Sequence, residues 1–235
     1  MTEFTYICTD IKHYSHDISL LSLHPATDKK IIYRAGQYVE MVISNNMIIP
    51  LSIANMPTAE GRIEFHLRHD QKHPQAQHVI SQLSINTAVH LRGPFGRTTL
   101  ASADSTKRLL FLAGGTGFAP IKALLEEALF TQQQNDPLYL YWGIRKPQDS
   151  YQEKLLLEWQ QKFPHFRYTL VLSEPQQFPH WQGPSGLVHE YLTKEHSHLI
   201  DYYIYASGPY EMIKAAQNHF RQQGLAGNQL ISDML

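Results

Sequence analysis

The sequence predicts a two-domain β-barrel plus α/β protein, with an antiparallel barrel in residues 1–101 and a parallel-sheet domain in residues 107–235. Three observations predict it. The first hundred residues contain six short β-rich segments separated by turns, a spacing typical of small barrels. Beyond Arg97, strands alternate with helices, and these strands are continuously apolar, which indicates a parallel sheet covered on both faces. The polar segment 102–107 between the halves is predicted to be a linker.

The barrel strands are predicted from local alternation and from turn residues. In segment 63–69, Ile63, Phe65 and Leu67 alternate with polar residues, so one face of this strand should be buried. Pro, Gly, Asn and Asp at 25–28, 45–46, 57–61 and 93–94 separate the segments. The predicted strands are residues 4–11, 18–23, 37–43, 51–54, 63–69 and 89–92, with a helix at 75–83.

The second half is predicted from its change of periodicity. Short apolar strands at 109–113, 139–144, 166–172 and 201–206 are separated by segments with helical patterns. These segments are 118–130, 151–162, 187–194 and 210–222. The alternation predicts a parallel sheet with helices on both faces.

Composition excludes several classes of function. Among 235 residues, 20 are Lys or Arg and 21 are Asp or Glu, and a net charge of -1 gives no electrostatic footprint for nucleic acid. The single cysteine, Cys8, cannot form an intrachain disulfide, an iron–sulfur cluster or a cysteine-based zinc site. No apolar run reaches the roughly 18 residues of a membrane span, and the first residues lack a signal-peptide pattern. We therefore expect a cytoplasmic protein, and the scattered charge favours a monomer.

The 14 histidines are the compositional oddity. His66, His69, His73 and His78 cluster in sequence, which raises the question of a metal site. His66 and His69 are three residues apart in an alternating segment and should point to opposite faces of the sheet. His73 lies in a proline-containing loop. We therefore predict no metal site.

A glycine loop follows the first strand of the second half. Segment 109–113 runs directly into Gly114-Gly-Thr-Gly-Phe-Ala-Pro, and a helix follows. Glycines permit positive φ and let a ligand approach the backbone, and Pro120 suits the first turn of a helix. The free N–H groups and the dipole of that helix would face an anion such as a dinucleotide pyrophosphate. The spacing departs from G-x-G-x-x-G at Pro120, so a tight turn without a ligand is the alternative.

A second glycine element follows the last apolar strand. Ser207-Gly208-Pro209 again joins a strand to a helix, and two such loops would flank one crevice. After the strand at 139–144, Arg145 and Lys146 stand where an acidic residue would bind a ribose 2′-hydroxyl. They could pair with a 2′-phosphate, or they could be solvated surface charges.

Together these elements resemble the ferredoxin–NADP reductase superfamily, and within it the stand-alone NAD(P)H:flavin reductases. The ordered set is specific, whereas no single piece would be. The matching elements are residues 34–38, 50–52, 93–96, 114–120 and 142–145, Ser173, residues 183–186 and 207–209, and Met212.

The resemblance implies an N-terminal antiparallel Greek-key flavin barrel and a C-terminal nicotinamide-nucleotide domain, with chemistry at their junction. Ser52 would be the catalytic residue, with its hydroxyl near flavin N5, while Leu51 packs against the ring. The cofactor-binding residues implied are Pro50, Leu51, Ser52, His66, Leu67, Arg68, Gly93, Gly114, Gly115, Thr116, Gly117, Pro120, Trp142, Arg145, Ser173, Ser207, Gly208 and Pro209.

The sequence departs from the family at its flavin motif, Arg-x-aromatic-Ser. Here the stretch reads Ile48-Ile49-Pro50-Leu51, without the Arg and without the aromatic residue. Loss of one charge-assisted phosphate contact weakens binding by about 1.5–3 kcal/mol. This suits a protein that releases flavin as a substrate, and it equally suits one that has lost flavin binding.

Two further departures favour a flavin reductase over a ferredoxin reductase. Ser207 replaces a frequent cysteine beside the nicotinamide, and no C-terminal aromatic residue is present. Asp233 is interpreted as part of a frayed terminus rather than as an active-site residue.

The resulting hypothesis is direct hydride transfer from NAD(P)H to flavin N5, giving reduced flavin for an oxygenase or for ferric iron. The first alternative is a reductase that keeps its flavin (FAD or FMN) and passes electrons to a ferredoxin, flavodoxin or oxygenase partner. The second is a non-catalytic nucleotide-binding module. Nothing in the sequence selects among FMN, FAD and riboflavin.

Overall fold

A computed structural model describes residues 2–14, 17–44, 47–100, 107–131 and 136–235. The two halves form separate sheets, one of six antiparallel strands and one of five parallel strands. The predicted fold class is thereby confirmed. All of the predicted linker except Lys107 lies outside the described residues, so the domain boundary stays a prediction.

The first half forms the barrel sheet, with strand order β4-β3-β6-β1-β2-β5. The last strand, β6, inserts between β3 and β1, which is a Greek-key connection. The strands are β1 (Glu3–Tyr14), β2 (Ile18–Pro25), β3 (Tyr38–Ser44), β4 (Met47–Ser52), β5 (Ile63–Arg68) and β6 (Ala88–Phe95), and helix α1 (Pro74–Gln82) joins β5 to β6.

Strand β5 shows how local sequence orients the two halves. Ile63, Phe65 and Leu67 are buried in the barrel core, as their alternation predicts. The residues between them point away from that core and towards the second half of the chain. One strand therefore has an apolar face in the barrel and a polar face at the junction.

The second half is an α/β layer with strand order β11-β10-β7-β8-β9. All its pairings are parallel, as expected for strands joined by helices. The strands are β7 (Arg108–Gly114), β8 (Leu138–Ile144), β9 (Phe166–Leu172), β10 (Tyr202–Ser207) and β11 (Leu230–Ile231), and the helices are α2 (Phe118–Phe130), α3 (Glu153–Lys162), α4 (Val188–Glu195) and α5 (Tyr210–Gln222).

Both faces of the parallel sheet are buried. Along β7, Leu109 and Phe111 pack on the side of α2 and α3, and Leu110 packs on the side of α4 and α5. Ile18 and Leu20 of the barrel belong to the same core cluster as α2. The two domains therefore share an apolar contact.

The strand order places a topological switch point beside β7. The chain runs from β7 to β8 and β9 and then returns to β10, on the other side of β7. The loops after β7 and β10 therefore leave the sheet at the same edge and diverge, which is where α/β proteins bind ligands.

The predicted element bounds differ from the observed ones in a few places. β4 begins at Met47 rather than at residue 51, because the hairpin pairing with β3 continues to Ser44. The short strand β11 was not predicted; Gln229, just before it, donates hydrogen bonds to the carbonyl oxygens of Ile200 and Tyr202. Within the described ranges, no helix is both long and apolar enough to cross a membrane.

Candidate functional site

A cleft of about 870 Å³ lies between the carboxyl edge of the parallel sheet and barrel strands β4 and β5. It collects most of the residues predicted for the site. Those that line it are Pro50, Leu51, Ser52, His66, Leu67, Arg68, Gly114, Gly115, Thr116, Gly117, Pro120, Arg145, Ser173, Ser207, Gly208 and Pro209.

Gly93 and Trp142 do not line the cleft. Gly93 packs against the barrel wall, where an added Cβ would lie 3.1 Å from Cγ1 of Val39. Trp142 is fully buried beneath the glycine loop, stacks on Phe118 with ring centroids 4.2 Å apart, and donates from Nε1 to the carbonyl oxygen of Gly115 at 2.9 Å. Trp142 therefore supports the loop rather than contacting a ligand in the cleft.

The glycine loop is packed tightly against the loop that follows β10. A Cβ on Gly117 would lie 2.4 Å from the carbonyl oxygen of Ser207, and one on Gly114 would lie 2.4 Å from Sδ of Met212. Both distances are far below ordinary contact. The atoms that face Gly117 are backbone, so glycine is required there for the two loops to meet at the switch point, whereas the Met212 side chain that faces Gly114 is flexible.

Gly115 has a different role in the same loop. Its φ of +53° lies in the left-handed region, and a Cβ there would meet only Nη2 of Arg68, at 3.8 Å. The loop then turns through a short 3-10 segment into α2 without a side-chain cap at Gly117. The start of α2 faces the cleft and suits an anionic group.

The barrel side of the cleft is largely apolar. Ile49, Leu51, Leu67 and Ala76 give it hydrocarbon surface, and the half-buried Ser52 ends strand β4. A second pocket of about 270 Å³ shares Ser52 with the cleft. Ser52 therefore stands between two cavities, at the point where the barrel meets the glycine loops.

Arg68 is the cation on the barrel side, and two carboxylates balance its charge. Nη1 lies 3.0 Å from Oδ2 of Asp17, and Nη2 lies 3.2 Å from Oδ1 of Asp149. The Arg68 side chain is only 8% exposed. Arg68 was expected at the site from the sequence, whereas neither aspartate was.

His66 is held between two partners on the polar face of β5. Its Nδ1 lies 2.8 Å from the hydroxyl of Tyr151, and its Nε2 lies 3.0 Å from Oε1 of Glu64. Burial lowers the pKa of His66 below its usual value although Glu64 opposes the shift, so the imidazole is neutral at pH 7. Both ring nitrogens are occupied, so His66 shapes the cleft without a free polar atom.

Glu64 links the barrel to helix α2. Lys122 of α2 places its ammonium 3.1 Å from Glu64, 2.7 Å from Glu126 and 2.9 Å from the carbonyl oxygen of Ala54. Burial alone would raise the pKa of Glu64, but hydrogen bonding from His66 and the charge of Lys122 hold it well below its usual value. Glu64 is therefore ionised throughout the neutral range.

His69 and His73, two others of the clustered histidines, have separate partners. Nε2 of His69, just past the end of β5, lies 2.9 Å from the Ser19 hydroxyl, and Nδ1 of His73 lies 2.6 Å from Asp70. Within the part of the chain that the structure describes, no three His, Cys, Asp or Glu side chains are grouped so that they could hold a metal ion.

Exposed cations lie at the mouth of the cleft. Arg145 is half exposed, with its guanidinium 4.0 Å from Asp70, and Lys72 lines the cleft from the barrel side. Asp149 accepts hydrogen bonds from the backbone N–H groups of Arg145 and Lys146. The loop after β8 is thus fixed through its backbone while the Arg145 side chain remains available to a ligand.

The C-terminal segment is held against the barrel, contrary to the prediction of a frayed terminus. Asp233 was interpreted as part of a frayed terminus, yet Oδ1 accepts hydrogen bonds from the backbone N–H of Arg97 at 3.1 Å and from the Thr98 hydroxyl at 2.8 Å. Met234 consequently lines the cleft. These contacts join residues 135 or more apart, so no local pattern could have indicated them.

The residues present fit a nicotinamide dinucleotide and a flavin ring. The cleft offers an open glycine loop at a helix start, exposed cations at its mouth and an apolar barrel wall beside Ser52. A phosphate group would find little unbalanced charge at Arg68, because Asp17 and Asp149 already neutralise it.

Each half of the chain matches a known protein family. The oxidoreductase FAD-binding domain family matches residues 6–100, and the oxidoreductase NAD-binding domain family matches residues 111–218. The chain is 34% identical over 231 residues to a CDP-6-deoxy-L-threo-D-glycero-4-hexulose-3-dehydrase reductase of Yersinia pestis, covering 97% of this chain and 68% of that protein. It is 32% identical to an NAD(P)H-flavin reductase of Vibrio harveyi, covering 85% of this chain and 84% of that protein.

Solved structures share the fold at lower identity. A cytochrome P450 reductase from Amycolatopsis superposes with a TM-score of 0.84 at 22% identity, covering 97% of this chain and 68% of that one. The cytochrome b5 reductase domain of nitrate reductase from Ulva prolifera gives 0.81 at 16% identity, covering 96% and 94%. With its FAD-binding and NAD-binding domains in this order, the chain belongs to the ferredoxin–NADP reductase superfamily.

Proposed function

We propose that this protein is an NAD(P)H:flavin oxidoreductase that reduces flavin as a diffusible substrate. One observation carries the proposal: a single cleft brings the barrel wall at Ser52 together with both glycine loops at the switch point of the parallel sheet. The likeness to NAD(P)H-flavin reductases along most of both chains supports the same activity.

The nicotinamide nucleotide and the flavin, when bound, supply the redox chemistry, in which a hydride passes from one to the other. The chain's contribution is to bind and orient. The start of α2 and the Gly115–Gly117 loop would hold the pyrophosphate, and Ser207 of the facing loop would border the nucleotide. The Ser52 hydroxyl, at the end of β4, would be placed to hydrogen-bond to a flavin ring on the barrel side of the cleft.

Weak flavin binding follows from the barrel wall. β4 presents Ile49, Pro50 and Leu51 where the family has a cation and an aromatic ring, and the charge of Arg68 is balanced by two carboxylates. One missing charge-assisted contact corresponds to about 1.5–3 kcal/mol, or roughly a tenfold to hundredfold weaker affinity. Such affinity suits a substrate that leaves after reduction.

The test is a steady-state assay that crosses NADH and NADPH with riboflavin, FMN and FAD. We expect oxidation of the nicotinamide nucleotide only when a flavin is added. A protein that oxidises neither nucleotide with any of the three flavins would contradict the proposal and would favour a non-catalytic module.

A second candidate function is a reductase that retains its flavin and passes electrons to a partner protein. It is favoured by similarity to reductase components of terephthalate 1,2-dioxygenase from Comamonas, 28% identical over 93% of this chain and 64% of those proteins. Cys8 alone cannot hold an iron–sulfur centre, so in this function such a centre would lie outside these 235 residues. A purified protein that stays yellow through dilution and gel filtration supports this function, and a colourless one supports the first.

A further inference from the structure

The polar face of strand β5 contacts three separate parts of the second domain. Glu64 contacts Lys122 of α2, His66 contacts Tyr151, and Arg68 contacts Asp149 in the turn after β8. The three residues follow the two-residue period of a strand, so they form one row. The row lies along the cleft, with His66 and Arg68 among its lining residues.

Arg68 makes the most rigid of these connections. Its guanidinium bridges Asp17, just before β2, and Asp149, and all three side chains are nearly buried, with exposures of 8%, 11% and 6%. A planar guanidinium donates to two carboxylates in fixed directions, which a lysine ammonium does not do. The bridge therefore defines an orientation as well as a contact.

Asp149 transmits that orientation to the nucleotide side. Its Oδ1 accepts from Arg68, and its Oδ2 accepts from the backbone N–H groups of Arg145 and Lys146 at 3.2 and 3.3 Å. The loop after β8 is thereby tied to the barrel through one carboxylate. The nearest side chain to a Cβ placed on Gly115 is also Arg68, at 3.8 Å, so the guanidinium lies directly beside the glycine loop.

We propose that Arg68 is a positioning residue, which through Asp17 and Asp149 sets the separation between the barrel wall at Ser52 and the nucleotide loops. This role rests on the proposed function. The charge of Arg68 is already balanced, so its contribution is geometric and not the binding of an anion. Hydride transfer needs reacting atoms roughly 3–3.5 Å apart, and a displacement of about 1 Å can cost a hundredfold in rate.

The experiment compares R68M, R68K, D149N and the double variant R68M/D149N with D201N. Asp201 pairs with Arg108 at 3.9 Å on the exposed side of the second domain, so D201N removes an arginine partner far from the cleft. For each protein we measure kcat, the dissociation constant of the nicotinamide nucleotide, and the kinetic isotope effect with C4-deuterated nucleotide. Thermal unfolding checks that each variant is folded.

We expect kcat of R68M to fall at least about tenfold, the isotope effect on kcat to rise, and the dissociation constant to change less than about threefold. R68K should lie between R68M and the unaltered protein, because lysine reaches one carboxylate at a time. The loss of kcat in the double variant should be smaller than the product of the two single losses, because the Arg68–Asp149 contact is common to both, although each residue has a further partner. Unchanged kcat in R68M, or in R68K where R68M does not fold, overturns the proposal, as does a loss confined to affinity.

A second readout is independent of catalysis. Spin labels on E60C and N218C, both exposed and one in each domain, report the distance between domains, and the buried Cys8 does not take up label. We expect this distance distribution to broaden with R68M and not with D201N. If the unaltered protein fails to reduce any flavin, the proposed activity is wrong, and this measurement still decides whether Arg68 orients the domains. An unchanged distribution contradicts that role.

Discussion

Gly117→Ala tests whether close contact between the two glycine loops creates the site. Gly117 has a φ of −58°, which alanine adopts freely, so the substitution introduces no backbone strain. Its new Cβ would lie 2.4 Å from the carbonyl oxygen of Ser207 and 2.5 Å from the nitrogen of Gly208, whereas ordinary contact begins at 3.4 Å. These atoms are backbone and cannot rotate away, so the loops must separate by about 1 Å.

The expected loss of rate follows from this separation of the loops. A shift of about 1 Å between groups that position two reactants costs about a hundredfold in rate, or roughly 2.7 kcal/mol of transition-state stabilisation. We expect kcat/KM for NAD(P)H oxidation in the presence of added flavin to fall by about this factor. The assay is absorbance at the nicotinamide band, with thermal unfolding measured in parallel.

Two other glycine-to-alanine variants distinguish a steric clash between the loops from backbone strain and from the substitution itself. Gly227→Ala has no atom within 4 Å of its Cβ and should behave as the unaltered protein. Gly115→Ala has room for its Cβ but a φ of +53°, so it should lower stability by about 1–3 kcal/mol with a smaller effect on rate. If Gly117→Ala retains the activity of Gly227→Ala, the contact between the loops does not define the site.

Three further predictions concern the hydroxyl, the cofactor and the buried histidine. Ser52→Ala should lower kcat at least about tenfold while changing flavin affinity less than threefold, and an unchanged kcat would remove Ser52 from the reaction. Arg145→Ala should raise KM for NADPH about tenfold or more relative to NADH, and equal effects on both nucleotides would exclude a 2′-phosphate contact. Because burial lowers the pKa of His66, the unfolded chain binds its proton first as pH falls below about 6.5, so the free energy of unfolding should fall there. His66→Gln should flatten that dependence in urea titrations between pH 7 and 5, and an equally steep curve would contradict it.

The elements that local sequence predicted best are those in which periodicity and burial agree. The helices at Phe118–Phe130 and Tyr210–Gln222 and the strand at Phe166–Leu172 begin and end where their patterns predicted. Their apolar spacing matches the faces that they bury. β11 is only two residues long, and it exists because β10 offers it a parallel edge, which is a tertiary effect.

Sequence motifs located the cleft but not the contacts that hold it together. The glycine loops stand out because backbone geometry demands glycine there. Asp17, Asp149 and Asp233 are ordinary acidic residues in their local sequence, and their partners are 51, 81 and 135 or more positions away. The resemblance assigned Trp142 to the cofactor through the element 142–145, but Trp142 is fully buried and does not line the cleft. Such residues can be identified only from contacts in the folded structure between distant parts of the chain.

The position of Trp142 gives the protein a natural optical reporter. Its indole is fixed by stacking on Phe118 and by a hydrogen bond to a carbonyl oxygen of the glycine loop. Indole emission responds to changes at that hydrogen bond, so nucleotide arriving at the loop should register as a change in intrinsic fluorescence without any added dye. The other two tryptophans, Trp159 and Trp181, do not line the cleft, and replacing them with phenylalanine would isolate this signal.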